Sequence, residues 1–308
     1  MALIFPHADD SDILSLSRLL SSEPDFPKIL RTSTLQLLHL HLIAPRTVRY
    51  VANIPKWLLT QGIVLLHFER SLDRHCPPLT VASLLALLAE HQIKAVSKNT
   101  AVSHLTEMRS YGLLEDDQVT SDRRIRPYLL SNRGAELVRS WFDGHLASLD
   151  LLDQGNRLER SKSDAGLLYK AHPAAIRMLL GQPAWCDPPL GVATFVWAES
   201  GSNILHDLLL RVPDEHPLDG IIHVGRVRAS DITGKYIISR SHAHRLFAKA
   251  RELGLLDWEK PRNGGALWIS PRLVEEYRAW QAVKFAAIAL AWERTVKVSA
   301  RSEHGTYG

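Results

Sequence analysis

Apolar residues recur at helical intervals over residues 55–74, where Trp57, Leu58, Val64, Leu65 and Phe68 predict one helix. Pro77 and Pro78 break the chain after it. Thr80 can then cap a helix whose Val81, Leu84, Leu85, Leu87 and Leu88 imply deep burial. A short linker over 92–96 leads to Ser97, a good N-cap for a helix over 98–111. On that helix Ala101, Leu105 and Met108 fall at i, i+4 and i+7 and face a core. Its remaining face carries Lys98, Asn99, Ser103, Thr106 and Glu107. Gly112 suits the left-handed residue that ends a helix. Leu113 and Leu114, a polar stretch over 115–126 and an apolar run from Pro127 predict two short strands around a charged hairpin. A long helix over about 132–152 follows.

The same pattern occurs twice. Residues 97–114 align without a gap on 239–256, at an offset of 142. Ser97/Ser239, Ala101/Ala243, Arg109/Arg251, Gly112/Gly254, Leu113/Leu255 and Leu114/Leu256 are identical pairs. A second block, 136–151, aligns on 275–290 at an offset of 139, with Glu136/Glu275, Arg139/Arg278, Trp141/Trp280, Ala147/Ala286 and Leu151/Leu290 identical. The three-residue difference between the offsets falls between the blocks, where a loop tolerates it. Two blocks in the same order imply two copies of one domain.

Helix, helix, polar-faced helix and basic hairpin is the order of a winged helix-turn-helix. Ser-Lys-Asn-Thr-Ala-Val-Ser at 97–103, Gly-Leu-Leu at 112–114, Asp-Arg-Arg at 122–124 and Leu-Leu-Ser-Asn-Arg-Gly at 129–134 resemble the MarR family of bacterial repressors. The resemblance covers residues 55 to 152. It implies that Arg124 enters the minor groove and that Asp122 helps to hold the wing. It also implies space for a small-molecule effector between helical and winged parts. The expected fold is mainly α with small β-wings: tandem winged helix-turn-helix domains forming a single-chain pseudo-dimer around a helical, dimerisation-type region. The expected domains are an N-terminal helical segment over 1–54, a first winged helix over 55–155, and a second over 156–308 with a helical linker and a C-terminal helix.

The second copy departs from the pattern. Its hairpin, 257–268, keeps Asn263, Gly264 and Gly265 for a turn but lacks Asp-x-Arg, so Arg262 is the nearest substitute for Arg124. Its first helix, about 228–236, is short and contains Gly234; its last runs from about 272 to 296. Near the N-terminus, 11–22 and 32–43 read as amphipathic helices around a proline-containing turn. They and the long helices are candidates for pairing, within a monomeric pseudo-dimer or in a homodimer.

Charge supports a nucleic-acid partner only once it is localised. The 308-residue chain carries a formal +4. From residue 226 to 262 there are nine Lys/Arg against four Asp/Glu, and from 94 to 133 seven against five. Phosphate is met by Arg, Lys, hydroxyls and helix N-termini, while Arg pairs with guanine and Asn with adenine in the major groove. Because recognition helices touch bases with their N-terminal residues, the expected contacts in the first copy are Lys98, Asn99, Thr100 and Ser103. Arg123 and Arg126 join Asp122 and Arg124 on its wing. In the second copy they are Arg240, Ser241, His242 and Arg245, with Lys249 on phosphate and Arg262 on the wing. Double-stranded DNA is the expected partner. Half-sites about 34–36 Å apart follow from the family geometry, and an asymmetric operator follows from the unlike copies.

Other chemistry finds little support. His39/His41 and His242/His244 are the close histidine pairs, and i, i+2 residues of a helix point to different sides. Cys76 and Cys186 have no metal-type spacing and read as reduced thiols. No P-loop, GxGxxG after a strand or HExxH occurs. No metal, cofactor or enzymatic activity is therefore expected. Without a visible secretory signal or an apolar run of spanning length, the expected setting is cytoplasmic, with no membrane. A plasmid-type replication initiator and a winged-helix protein scaffold are the alternatives.

Overall fold

The structure, a computed structural model, describes residues 12–48, 51–94, 96–117, 127–216, 220–236, 238–260 and 264–304. It is mainly helical, with two small antiparallel sheets. In chain order the elements are α1 (Ile13–Ser22), α2 (Phe26–Ile43), α3 (Pro45–Val48), α4 (Ile54–Leu72), α5 (Val81–Glu90), α6 (Lys98–Ser110), β1 (Leu114–Asp116), β2 (Tyr128–Leu130) and α7 (Asn132–Asp153). Next come α8 (Arg157–Ser163), α9 (Gly166–Leu180), α10 (Pro183–Cys186), α11 (Leu190–Val196) and α12 (Gly201–Leu209). Last are β3 (Ile222–Gly225), α13 (Ala229–Lys235), α14 (Arg240–Glu252), β4 (Leu256–Lys260), β5 (Gly264–Ile269) and α15 (Pro271–His304).

Two compact units result, and neither is continuous in sequence. One comprises Met1–Ser22, Leu58–Cys186 and Val283–Gly308; the other comprises Glu23–Trp57 and Asp187–Ala282. Two of the four boundaries fall inside α4 and α15 and two just after α1 and α10, so the units differ from the contiguous divisions 1–54, 55–155 and 156–308. A helix that begins among one set of partners and ends among another leaves no loop to mark the change.

In the first unit, local rules fix the ends of α5, α6 and α7. Thr80 Oγ1 accepts from the Ser83 amide at 3.1 Å and Ser83 Oγ from the Thr80 amide at 2.9 Å, a reciprocal cap with Ser in the usual Glu place. Leu84, Leu87 and Leu88 are buried, whereas Val81 and Leu85, at the edges of the stripe, are half-buried. Ser97 Oγ caps α6 by accepting from the Thr100 amide. Gly112, at φ +68°, lets the chain turn back so that the Leu113 amide reaches Met108 O at 2.9 Å. Strands β1 and β2 pair antiparallel from Leu114↔Leu130 to Asp116↔Tyr128. Ser131 then caps α7 through the Gly134 amide and donates to Gly112 O at 2.7 Å. Gly134 is required there, because a Cβ would stand 2.6 Å from Leu113 O.

Behind these elements lies an aromatic and histidine core. Phe68, Phe142, His172 and Trp292 are buried, with His172 Nε2 2.9 Å from Gln61 Oε1. Burial pushes the His172 imidazole down to about 3. Lys284 lies buried near the Trp185 and Phe285 rings, and desolvation lowers its ammonium to about 7. Arg157 joins Asp150, Asp153 and Glu293 at 3.2, 2.6 and 3.3 Å, tying α8 to α7 and α15.

The second unit repeats the cap and the turn of this framework. Ser239 Oγ caps α14 through the His242 amide, and Gly254 ends it at φ +67°. The Leu255 amide reaches Ala250 O at 2.9 Å. The Ser270 amide reaches Leu255 O at 2.9 Å, as Ser131 reaches Leu113 O at 3.0 Å. Two identical arginines also share one task. Arg139 donates to the Ser161 and Ala165 carbonyls, and Arg278 donates to that of Glu23.

This unit's sheet has three strands, in the order β3-β5-β4. Strand β3 is not read from the sequence; its alternating burial spans only four residues, too few to stand out. In the first unit a single bond, the Tyr128 amide to Leu79 O at 2.8 Å, occupies the corresponding place before α5. Trp258 is buried, donates its indole N–H to Val227 O at 2.8 Å and meets Phe247 edge-on at 5.5 Å. The interior is polar where α2 packs: Thr34 Oγ1, Tyr277 OH and His206 Nδ1 are linked at 3.1 and 2.7 Å. His41 bridges Asn203 of α12 and Lys235 O at the end of α13, and burial lowers its pKa. Helix α2 starts at Phe26 rather than near residue 32, because Pro27 fits the first helical turn. Helix α15 extends beyond the expected 272–296 at both ends.

Candidate nucleic-acid interface

The two helices expected to read bases, α6 and α14, each bury one stripe and expose the opposite face. On α6 the stripe is Ala101, His104, Leu105 and Met108; on α14 it is Ala243, Leu246, Phe247 and Ala250. Lys98, Asn99, Thr100 and Ser103 are exposed, as are Arg240, Ser241, Arg245 and Lys249. His242 is only half-exposed; two residues on, His244 is exposed, beside Arg245. Val102, 41% exposed, lies between Asn99 and Thr106 on the outer face of α6. Counting outward from the buried Ala101 and Ala243 would have found both Val102 and His244 in the sequence.

The exposed polar groups are not equally available. Thr100 Oγ1 lies 2.8 Å from Ser97 Oγ, and Thr106 Oγ1 donates to Val102 O at 2.9 Å, so both hydroxyls are engaged locally. Ser241 Oγ lies 3.1 Å from Ser239 Oγ. Among the described residues, no ion pair involves Lys98, Arg240, Arg245 or Lys249. The arginines identical in the two copies behave differently. Arg109 pairs with Asp116 of β1, and Arg251 lies 3.7 Å from Asp257 of β4. Each ties the last turn of its helix to the following strand and serves the framework.

The surroundings of the two helices differ in charge. Beside the C-terminal half of α6 is an open cleft of about 750 Å³, lined by Thr106, Arg109, Ser110, Glu115, Asp116 and Asp117. Its carboxylates would repel a polyanion, and Arg109, its one arginine among the described residues, is already paired. Helix α14 is preceded by exposed Arg226 and Arg228, and its following strand ends at exposed Lys260. Asp122, Arg123, Arg124, Arg126 and Arg262 lie outside the described residues, as does Asn263; Gly264 and Gly265 belong to β5, with Gly265 at φ +81°.

No group of three or more His, Cys, Asp or Glu among the described residues is placed to hold a metal. No helix among them is long and apolar enough to cross a membrane. Cys76 and Cys186 are free and half-buried. Compared with protein-family models, curated proteins and solved structures, the chain matches none.

Proposed function

We propose that this protein is a sequence-specific double-stranded DNA-binding transcriptional regulator with two winged helix-turn-helix heads in one chain. In this reading α5 and α6 with β1 and β2 form the first head; α13 and α14 with the three-stranded sheet form the second. The carrying observation is the repeated frame of Ser N-cap, left-handed Gly and capped following helix, which leaves α14 exposing three cations that form no ion pair among the described residues. A frame of this kind supports insertion of the exposed helix into a major groove, with cations meeting phosphate.

The test is binding of the full chain to duplex DNA, with Arg240→Ala and Arg124→Ala as controls. The reading predicts affinity that falls as log K against log salt, and weakening in both variants. Turnover of a small molecule with no salt-sensitive DNA binding would refute it.

A further inference from the structure

The offset of 142 lets the two outward faces be compared position by position on one backbone frame. Lys98 stands where Arg240 stands, Asn99 where Ser241, Val102 where His244, Ser103 where Arg245, and Glu107 where Lys249. All but Glu107 of these ten are exposed. Lys98 and Arg240 put a cation at the first helical position in both heads, so that place does not distinguish them.

The next positions do. An arginine can donate two parallel hydrogen bonds to O6 and N7 of guanine; serine cannot. An asparagine amide can donate to N7 and accept from N6 of adenine, and an apolar side chain packs against the thymine methyl. Arg245 supplies the first chemistry in the second head alone. Asn99 and Val102, three residues apart and both exposed, supply the second and third in the first head alone. Asn99, Ser103 and Arg245 make no side-chain hydrogen bond among the described residues, so these groups are not committed to the fold.

We infer that the two heads read half-sites of different base composition: α14 selects guanine-bearing pairs through Arg245, and α6 selects adenine–thymine pairs through Asn99 and Val102. This rests on the DNA-binding reading above. Backbone attraction is divided unequally as well. The position of Lys249, on the flank where phosphate passes, is held in the first head by Glu107. Of the two helices, α14 therefore carries more of the attraction to phosphate than α6.

The experiment is selection of bound sequences from a random duplex library by the full chain, repeated with Arg245→Ser, Asn99→Ala and Ser103→Arg. All three changes lie on exposed positions. The wild type is expected to enrich one site with a guanine-bearing half and an adenine–thymine half. Arg245→Ser should remove the guanine preference at the base pair Arg245 meets, leave the other half intact and weaken binding about five- to hundredfold. Asn99→Ala should relax only the adenine–thymine half, and Ser103→Arg should bring guanine into it. Two halves of the same composition, or loss of the guanine half on Asn99→Ala, would overturn the inference while leaving DNA binding standing. No enriched sequence at all would overturn both.

Discussion

The two copies hold the same frame and turn unlike faces outward. Where the backbone dictates the residue, they agree: Ser97 and Ser239 cap, Gly112 and Gly254 take positive φ, and Ser131 and Ser270 begin the following helix. Where the side chains face outward, they diverge: exposed Ser103 against Arg245, exposed Val102 against His244, and half-buried Glu107 against Lys249. The difference separates what a fold requires from what a partner requires. A capping hydroxyl is worth about 1 kcal/mol and has few substitutes. An exposed position is nearly free, so its chemistry is open to selection by whatever it touches.

The sharpest way to break this comparison is inside the shared frame. Leu105 and Phe247 occupy the same position in the two copies and are both buried. Leu105→Ala should cost about 2–5 kcal/mol and Phe247→Ala about 3–5 kcal/mol, read by denaturant unfolding. If either costs less than 1 kcal/mol, the frame is not shared.

A smaller effect should appear as a loss of stability at acid pH. Folded His172 is neutral with its pKa near 3, against 6.5 when exposed. Between those values the unfolded chain binds the extra proton, so stability present above pH 6.5 is lost as the pH falls. The loss attributable to His172 is about 2 kcal/mol by pH 5. His172→Leu should shrink the difference between pH 7 and pH 5 by that amount. His41 contributes with the same sign in the second unit, because its pKa is also lowered. An unchanged difference in the variant would place the acid sensitivity elsewhere.

The charge contrast can be reversed in binding. Lys249→Ala should reduce the slope of log K against log salt by about one, and Glu107→Lys should raise it by about one. A slope unmoved by Glu107→Lys would mean that the first head does not lie along phosphate. The smallest effect belongs to the exposed pairs at the helix ends. Asp116→Asn and Asp257→Asn should each change stability by less than about 1 kcal/mol, since solvent screens both. A larger cost in one copy would show that its hairpin depends on the pair.

Much of this was legible in the chain itself. Helical periodicity gave α4, α5, α6, α7 and α15, and Thr80, Ser97 and Gly112 marked ends that the structure places within a residue or two. The outward face of α14 was legible in part. Ser241 and Arg245 are exposed, whereas His242 is half-buried because rotation by one residue moves a side chain 100° around the helix. Strand β3 escaped notice because four residues carry too little pattern, and its pairing with β5 joins residues more than forty positions apart.

The sequence alone determined the repeat, the caps and the amphipathic helices, because all of these follow from neighbours within a few residues. Only the tertiary structure decided which cations are already committed. Arg109 and Arg251 look in the sequence like any other basic residues of a reading helix, yet each meets a carboxylate on the strand that follows. Only the tertiary structure, too, divided α4 and α15 between two compact units. Both outcomes depend on residues brought together by packing, and a periodicity read along the chain carries no record of what stands across from it.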